Sequence, residues 1–255
     1  MIPRLLEIGP LPINSFGLCI ALAAWGGILM LTASFQKNGI DPKLGEKYAL
    51  WGVISGLLGA RVWSLLHRID DVMRDPIGEI FSGAGFIFYG GFITATVVLL
   101  LLCKKDNIKF STFVDSLGPT LCLGYAIGRV GCQLSGDGDY GVVTDSIFGM
   151  SYKTGVIPTA GELLAWPTPI FESMMALGIC FFLLKLESLQ KWKNIPYARF
   201  GAYLSLMSLE RFIIEFFRRN PRLEFGLSEA QFISLGLMVI GVLFLLINSR
   251  TAKVT

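Results

Sequence analysis

An all-α integral membrane protein with seven transmembrane helices is the fold class this sequence predicts, and three observations predict it. Hydrophobic residues make up 53% of the chain and charged ones only 16%, with a mean hydropathy of +0.61. A soluble domain carries about 25% charge, so this chain lacks the polar surface that water requires. Apolar runs of about 20 residues recur along it, each long enough to cross a bilayer as a helix. These runs also lack the alternation of barrel strands, and an open sheet would leave its edges unsatisfied in lipid.

The runs fall at roughly 13–35, 46–66, 84–103, 112–134, 168–186, 199–217 and 228–248. The fourth contains Arg129 and the sixth contains Arg211, each an arginine within a span. The opening MIPRLLEIGPLP has one arginine, and the run after it is too long for the apolar region of a cleavable signal. Cys19, Cys103, Cys122, Cys132 and Cys180 fall in or at the ends of runs without CxxC pairing. No disulfide framework, metal site or cofactor is expected, and the cysteines read as small packing residues. Gly52, Gly56 and Ala60, and likewise Gly124 and Gly128, repeat at a four-residue spacing that lets helices approach closely. The chain reads as one polytopic domain, 1–255, with an external loop or arm at about 135–167.

Orientation follows from the basic residues between runs. One set of loops holds Lys37, Lys43, Lys47, Lys104, Lys105, Lys109, Lys191, Lys193, Arg199, Arg250 and Lys253. The alternate set holds Arg4, Arg68, Arg74, Lys153, Arg218, Arg219 and Arg222. The richer set belongs in the cytoplasm, which puts the N-terminus outside and the C-terminus inside. On that orientation Arg129, Arg211 and Glu215 fall in the outer half of the membrane. Arg61, Asn14 and Phe16, Tyr89-Gly90-Gly91, and Glu172 mark the outer ends of other runs.

GRVGCQLSGDGDYG, residues 128–141, contains G-x-G-x-x-G at Gly136, Gly138 and Gly141. A dinucleotide loop needs a strand before it, a helix after it and room for phosphate. Here a membrane helix precedes it, and Asp137 and Asp139 put negative charge where phosphate would lie. The dinucleotide reading fails.

Arginine within a span faces a bundle interior or a polar cavity, or snorkels to the headgroups. Glu215 lies four residues after Arg211 on the same helix face, so a structural ion pair is one reading of both. The other is an anion site, because guanidinium forks match phosphate oxygens. Two such arginines at one depth point to a phospholipid headgroup. The lone His67 reads as a loop residue, and Phe216, Phe217, Arg218 and Arg219 read as an interfacial anchor.

At these residues the chain resembles the bacterial prolipoprotein diacylglyceryl transferase family over nearly its whole length. GRVGCQLSGDGDYG is similar to the family's G-R-x-G signature, with Arg129 on the signature arginine. LERFIIEFFR is similar to its second arginine segment, which Arg211 and Glu215 match. INSFGL, GARVW, FYGGF, WPTPIFE and LSEAQFIS fit further segments, with Gln231 and Ser234 in place. Three positions depart from the pattern: Phe16 stands for a tyrosine, Tyr89 for a histidine and Cys132 for an asparagine. One extra residue leaves either Asp137 or Asp139 on the signature glutamate.

The resemblance implies a transferase of the bacterial inner membrane, with its active site toward the outer leaflet. It moves diacylglyceryl from phosphatidylglycerol to the lipobox cysteine of a secreted prolipoprotein, with no metal, cofactor or nucleic acid. Arg129, Arg211, Glu215, Asp137, Asp139 and Tyr89 are the candidate catalytic residues. Arg129, Arg211, Arg61, Asn14, Phe16 and Glu172 are the candidate substrate-binding residues. A same-fold transferase with another acceptor, or a phospholipid-binding or transport protein, is the alternative.

Overall fold

The computed structural model describes residues 1–8, 11–81, 85–189, 192 and 195–251. Lys191, Lys193 and Lys253, used above for orientation, lie outside them. Helices dominate: α1 (Ser15–Lys37), α2 (Pro42–His67), the short α3 (Ile69–Arg74) and α4 (Pro76–Phe81), α5 (Phe88–Lys105), α6 (Phe110–Ser135), α7 (Thr168–Ser188), α8 (Ala198–Ile214) and α9 (Glu229–Thr251). A 3₁₀ turn, Glu215–Phe217, continues α8.

The fold is not purely helical. β1 (Arg4–Ile8) and β2 (Leu11–Asn14) pair antiparallel, with Arg4 opposite Asn14. β3 (Met150–Ser151) and β4 (Leu164–Ala165) form a second small ladder. Among the described residues α1, α2, α5, α7 and α9 are long and apolar enough to cross a membrane. α6 carries Asp115, Arg129 and Gln133. α8 has 17 residues and carries Arg199, Glu210 and Arg211. Polar content keeps α6 out of that set and length keeps α8 out, although both occupy predicted runs.

The chain divides into two compact units: Met1–Met30 with Val114–Thr255, and Leu31–Phe113. In the second unit α2 and α5 pack along glycines. A side chain at Gly59 would strike Thr94 and the Gly90 carbonyl, and one at Gly91 would meet the Gly56 carbonyl and Ala60. This close approach is what the small residues of α2 predict. By contrast, Gly124 and Gly128 do not pack this way, because a Cβ added at either meets nothing within 4 Å. Spacing alone does not distinguish a packed small face from an open one.

In the first unit Cys122, Cys180, Leu183, Leu186 and Ala202 form a core joining α6, α7 and α8. α9 lies against α8, where Gly201 and Gly241 let the backbones meet. At the start of α8, Arg199 pairs with Glu187 at 2.6 Å, and both are buried. Asp115 accepts from the Phe200 N–H at 2.8 Å beside them. This buried ion pair lies 12 residues, or about 18 Å of helix, from Arg211.

The 135–167 arm is ordered. Tyr140 and Tyr152 stack at 4.3 Å over Ala165, and the Tyr152 hydroxyl donates to Gln133 of α6. The arm closes on itself as Gly141 donates to the Trp166 carbonyl and Trp166 to that of Val142. Val142 also donates to the Phe217 carbonyl at 2.8 Å, tying the arm to the turn after α8.

Candidate active site

The arm's glycines explain the sequence motif. Gly136 and Gly138 adopt φ of +60° and +95°, the left-handed region that glycine enters without a Cβ penalty. Gly141 lies against the Phe217 carbonyl and Trp166, leaving no room for a side chain. The three glycines therefore fold the chain back from the end of α6, and the turn presents Asp139 to the helices. Thr168, the first residue of α7, fixes that turn by donating to the Asp139 carbonyl at 2.8 Å.

One turn along α7 from Thr168 is Glu172, fully buried. Three guanidiniums converge on it. Arg129 of α6 reaches Oε2 through Nε at 3.0 Å, Arg211 of α8 reaches Oε1 at 3.1 Å, and Arg218 reaches Oε1 at 3.2 Å. Arg129 and Arg218 also pair with Asp139, the latter at 2.7 Å. Arg211 pairs with Glu215 at 2.9 Å. Arg129 lies over the Tyr125 ring, 4.9 Å from its centroid. A carboxylate buried without cations would be strongly disfavoured, so Glu172 and the arginines hold one another in place.

A further layer surrounds them. Asn220 donates to Glu215 at 2.6 Å, and Arg222 joins the Glu215 carbonyl to the side chain of Gln231. Arg219 donates to the Gly138 carbonyl and lies 4.2 Å above the Tyr140 ring. Ser228 N–H donates to Gln231, which fixes α9 to this end of the unit.

The predicted residues are thus distributed unequally. Arg129, Arg211, Glu215, Asp139 and Glu172 come together in one network. Asp137 accepts the Asp139 N–H at 3.2 Å and stands beside it. Asp139, not Asp137, is the carboxylate that takes the arginines. Phe16 and Cys19 of α1 pack on Gly131 of α6, and Asn14 ends β2. Arg61 and Tyr89 belong to the second unit. Arg61 donates to the backbone carbonyls of Gly85, Glu79 and Ile80 and lies over Phe86. Tyr89 is largely exposed, edge-on to Phe88.

Sequence reasoning missed Arg218. It lies beyond an apolar run after two phenylalanines, the pattern of an interfacial anchor. Its side chain is nevertheless 10% exposed and joins Glu172 to Asp139. A signal was available in its spacing, since the turn of Glu215–Phe217 carries the chain back to the cluster. A second unpredicted grouping is Cys132 with Asp137 and Asp139, whose ligand atoms lie within 4.8 Å of one another. Two guanidiniums already occupy Asp139, which disfavours a cation there.

The electrostatics of Asp139 follow from this geometry. Burial raises its pKa, but Arg218 and Arg129 outweigh burial and hold the carboxyl below its ordinary value. Its side chain, at 36% exposure, is the most open member of the network, against 27% for Arg211 and none for Glu172. The network therefore opens at Asp139 and Arg211.

Among the described residues, five helices long and apolar enough to cross a bilayer define the class: a multi-pass membrane protein, here with guanidiniums gathered around a buried carboxylate. The chain belongs to the prolipoprotein diacylglyceryl transferase family, whose model matches residues 3–247. It is similar to the phosphatidylglycerol–prolipoprotein diacylglyceryl transferase 2 of Clostridium perfringens, at 33% identity over 97% of this chain and 95% of the relative. The Clostridium tetani enzyme of the same name is 30% identical over 95% of this chain and 96% of the relative. The Streptococcus pneumoniae enzyme is 27% identical, covering 97% and 94%.

Proposed function

We propose that this chain transfers a diacylglyceryl group from phosphatidylglycerol to a lipobox cysteine thiol, and that the arginine network receives the donor phosphate. The observation that carries this reading is the convergence of Arg129, Arg211 and Arg218 at the open edge of a buried carboxylate. Each guanidinium has five N–H donors, more than its carboxylate partners use, so phosphate oxygens can be added.

In the reaction the thiolate sulfur attacks the glyceryl carbon, a carbon–sulfur bond forms, and the carbon–oxygen bond to phosphate breaks. Glycerol phosphate leaves with the bonding electrons. Charge grows on that phosphate in the transition state, where preorganised guanidiniums stabilise it most. An ordinary thiol, with a pKa near 8.5, must first lose its proton. We assign that proton to Asp137, because Asp139 and Glu215 are already paired with arginines. Among the described residues Asp137 has no such pair.

We further read seven spans, with α6 and α8 crossing as polar members of the bundle. Arg129, Arg211 and Arg218 then face the outer leaflet of a bacterial inner membrane, where a secreted precursor presents its cysteine. Cells depleted of their own transferase test the activity. Expression of this chain should restore a lipoprotein mass increased by one diacylglyceryl group. Unmodified precursor in cells that contain the folded chain would reject the assignment.

A further inference from the structure

A groove of about 360 Å³ runs along α7 and α8 within the first unit. Met175, Gly178, Ile179 and Phe182 line it from α7, and Leu206, Leu209 and Glu210 from α8. Gly178 holds it open, because a Cβ placed there meets nothing within 4 Å. Glu210 is the one ionisable side chain of this lining. It is 1% exposed, and its Oε1 has no hydrogen-bond partner. A buried carboxyl oxygen without a partner costs free energy, and native structures leave few of them. Glu210 also stands apart from the phosphate network: it precedes Arg211 by one residue and leaves the helix about 100° away.

We propose that this groove binds an acylglycerol, with an acyl chain along the apolar wall and the free hydroxyl on Glu210. The wall selects a chain. A hydroxyl both donates and accepts, so it satisfies the carboxyl in either protonation state. A cationic head is disfavoured because an ammonium brings three donors, and Glu210 is the one polar side chain of the lining that could accept them. An anionic head would meet Glu210 itself. A neutral head remains. This site is independent of the transfer reading, since none of its lining residues belongs to the phosphate network.

Native mass spectrometry of the full chain in detergent, with dioleoylglycerol as the probe, tests the site. One dioleoylglycerol should be retained per chain. Gly178→Leu, which fills the groove, and Glu210→Leu, which removes the carboxyl, should each weaken retention by about tenfold or more. Glu210→Gln should stay within about threefold, because an amide both donates and accepts. A dioleoylglycerol whose hydroxyl is methylated should bind like the Glu210→Leu combination. Thermal unfolding in the same detergent verifies that each variant is folded, and Gly178→Leu provides the test if Glu210→Leu does not fold. Equal retention by wild type and Gly178→Leu would overturn the site. Undiminished binding of the methylated lipid would overturn the hydroxyl assignment.

Discussion

Glu172 is surrounded by three guanidiniums, so its charge is balanced by side chains rather than by water. Removing any one of the three unbalances a buried group. Arg218→Ala should lower transfer by roughly 10²–10³-fold, the usual loss when a preorganised donor is removed, and should destabilise the fold by about 3 kcal/mol. Arg219→Ala, which removes a cation lying over Tyr140, should lower transfer by less than about tenfold. Rates and thermal unfolding measured side by side separate the two variants. The pH dependence of the network has a defined sign. Asp139 titrates lower in the folded chain than its ordinary value, so its stabilisation is complete above the unfolded pKa of about 3.9 and is lost as pH falls through the folded one. Acid denaturation in detergent should therefore be shallower for Asp139→Asn than for wild type below about pH 4. Most of this network was legible in the sequence, because ionisable residues inside apolar runs stand out. Arg218 was not, because an arginine at the edge of a run has an ordinary explanation as an anchor.

Each predicted apolar run contains a helix, with ends within a few residues of those expected: 112–134 became Phe110–Ser135, and 168–186 became Thr168–Ser188. Hydrophobicity determines such elements over many residues, so single polar positions matter little. The short helices α3 and α4 and the two hairpins were not predicted, because a few residues carry too little periodicity. The glycine spacing was half informative. Gly56 packs against α5, whereas Gly124 faces open space. Gly90→Val should therefore destabilise the α2–α5 pair by roughly 1–3 kcal/mol, since its Cβ would meet Trp63 and the Gly59 carbonyl. Gly124→Ala should be neutral or stabilising by up to about 1 kcal/mol, through helix propensity alone. Thermal unfolding of the two variants compares them directly; equal destabilisation would contradict this difference in packing.

For the whole molecule, orientation determines which leaflet supplies the lipid. The basic residues of alternate loops favour a cytoplasmic C-terminus, although Arg218, Arg219 and Arg222 count against it. The fold removes part of that objection: Arg218 and Arg222 are held by Glu172, Asp139, Glu215 and Gln231, and do not act as free topological charges. Single-cysteine labelling in intact cells should reach Ile147→Cys, exposed on the arm, from outside and Lys105→Cys only after permeabilisation. The reverse pattern would move the proposed site to the inner leaflet. The most direct test of the central claim is transfer in a defined system, with the purified chain in phosphatidylglycerol vesicles and a lipobox peptide, followed by mass spectrometry. The peptide cysteine should gain one diacylglyceryl group for each glycerol phosphate released. Arg129→Ala and Arg211→Ala should each slow this by roughly 10²–10³-fold, and lysine at either position should restore it only in part. Wild-type rates in folded Arg129→Ala and Arg211→Ala would contradict the phosphate role of the network.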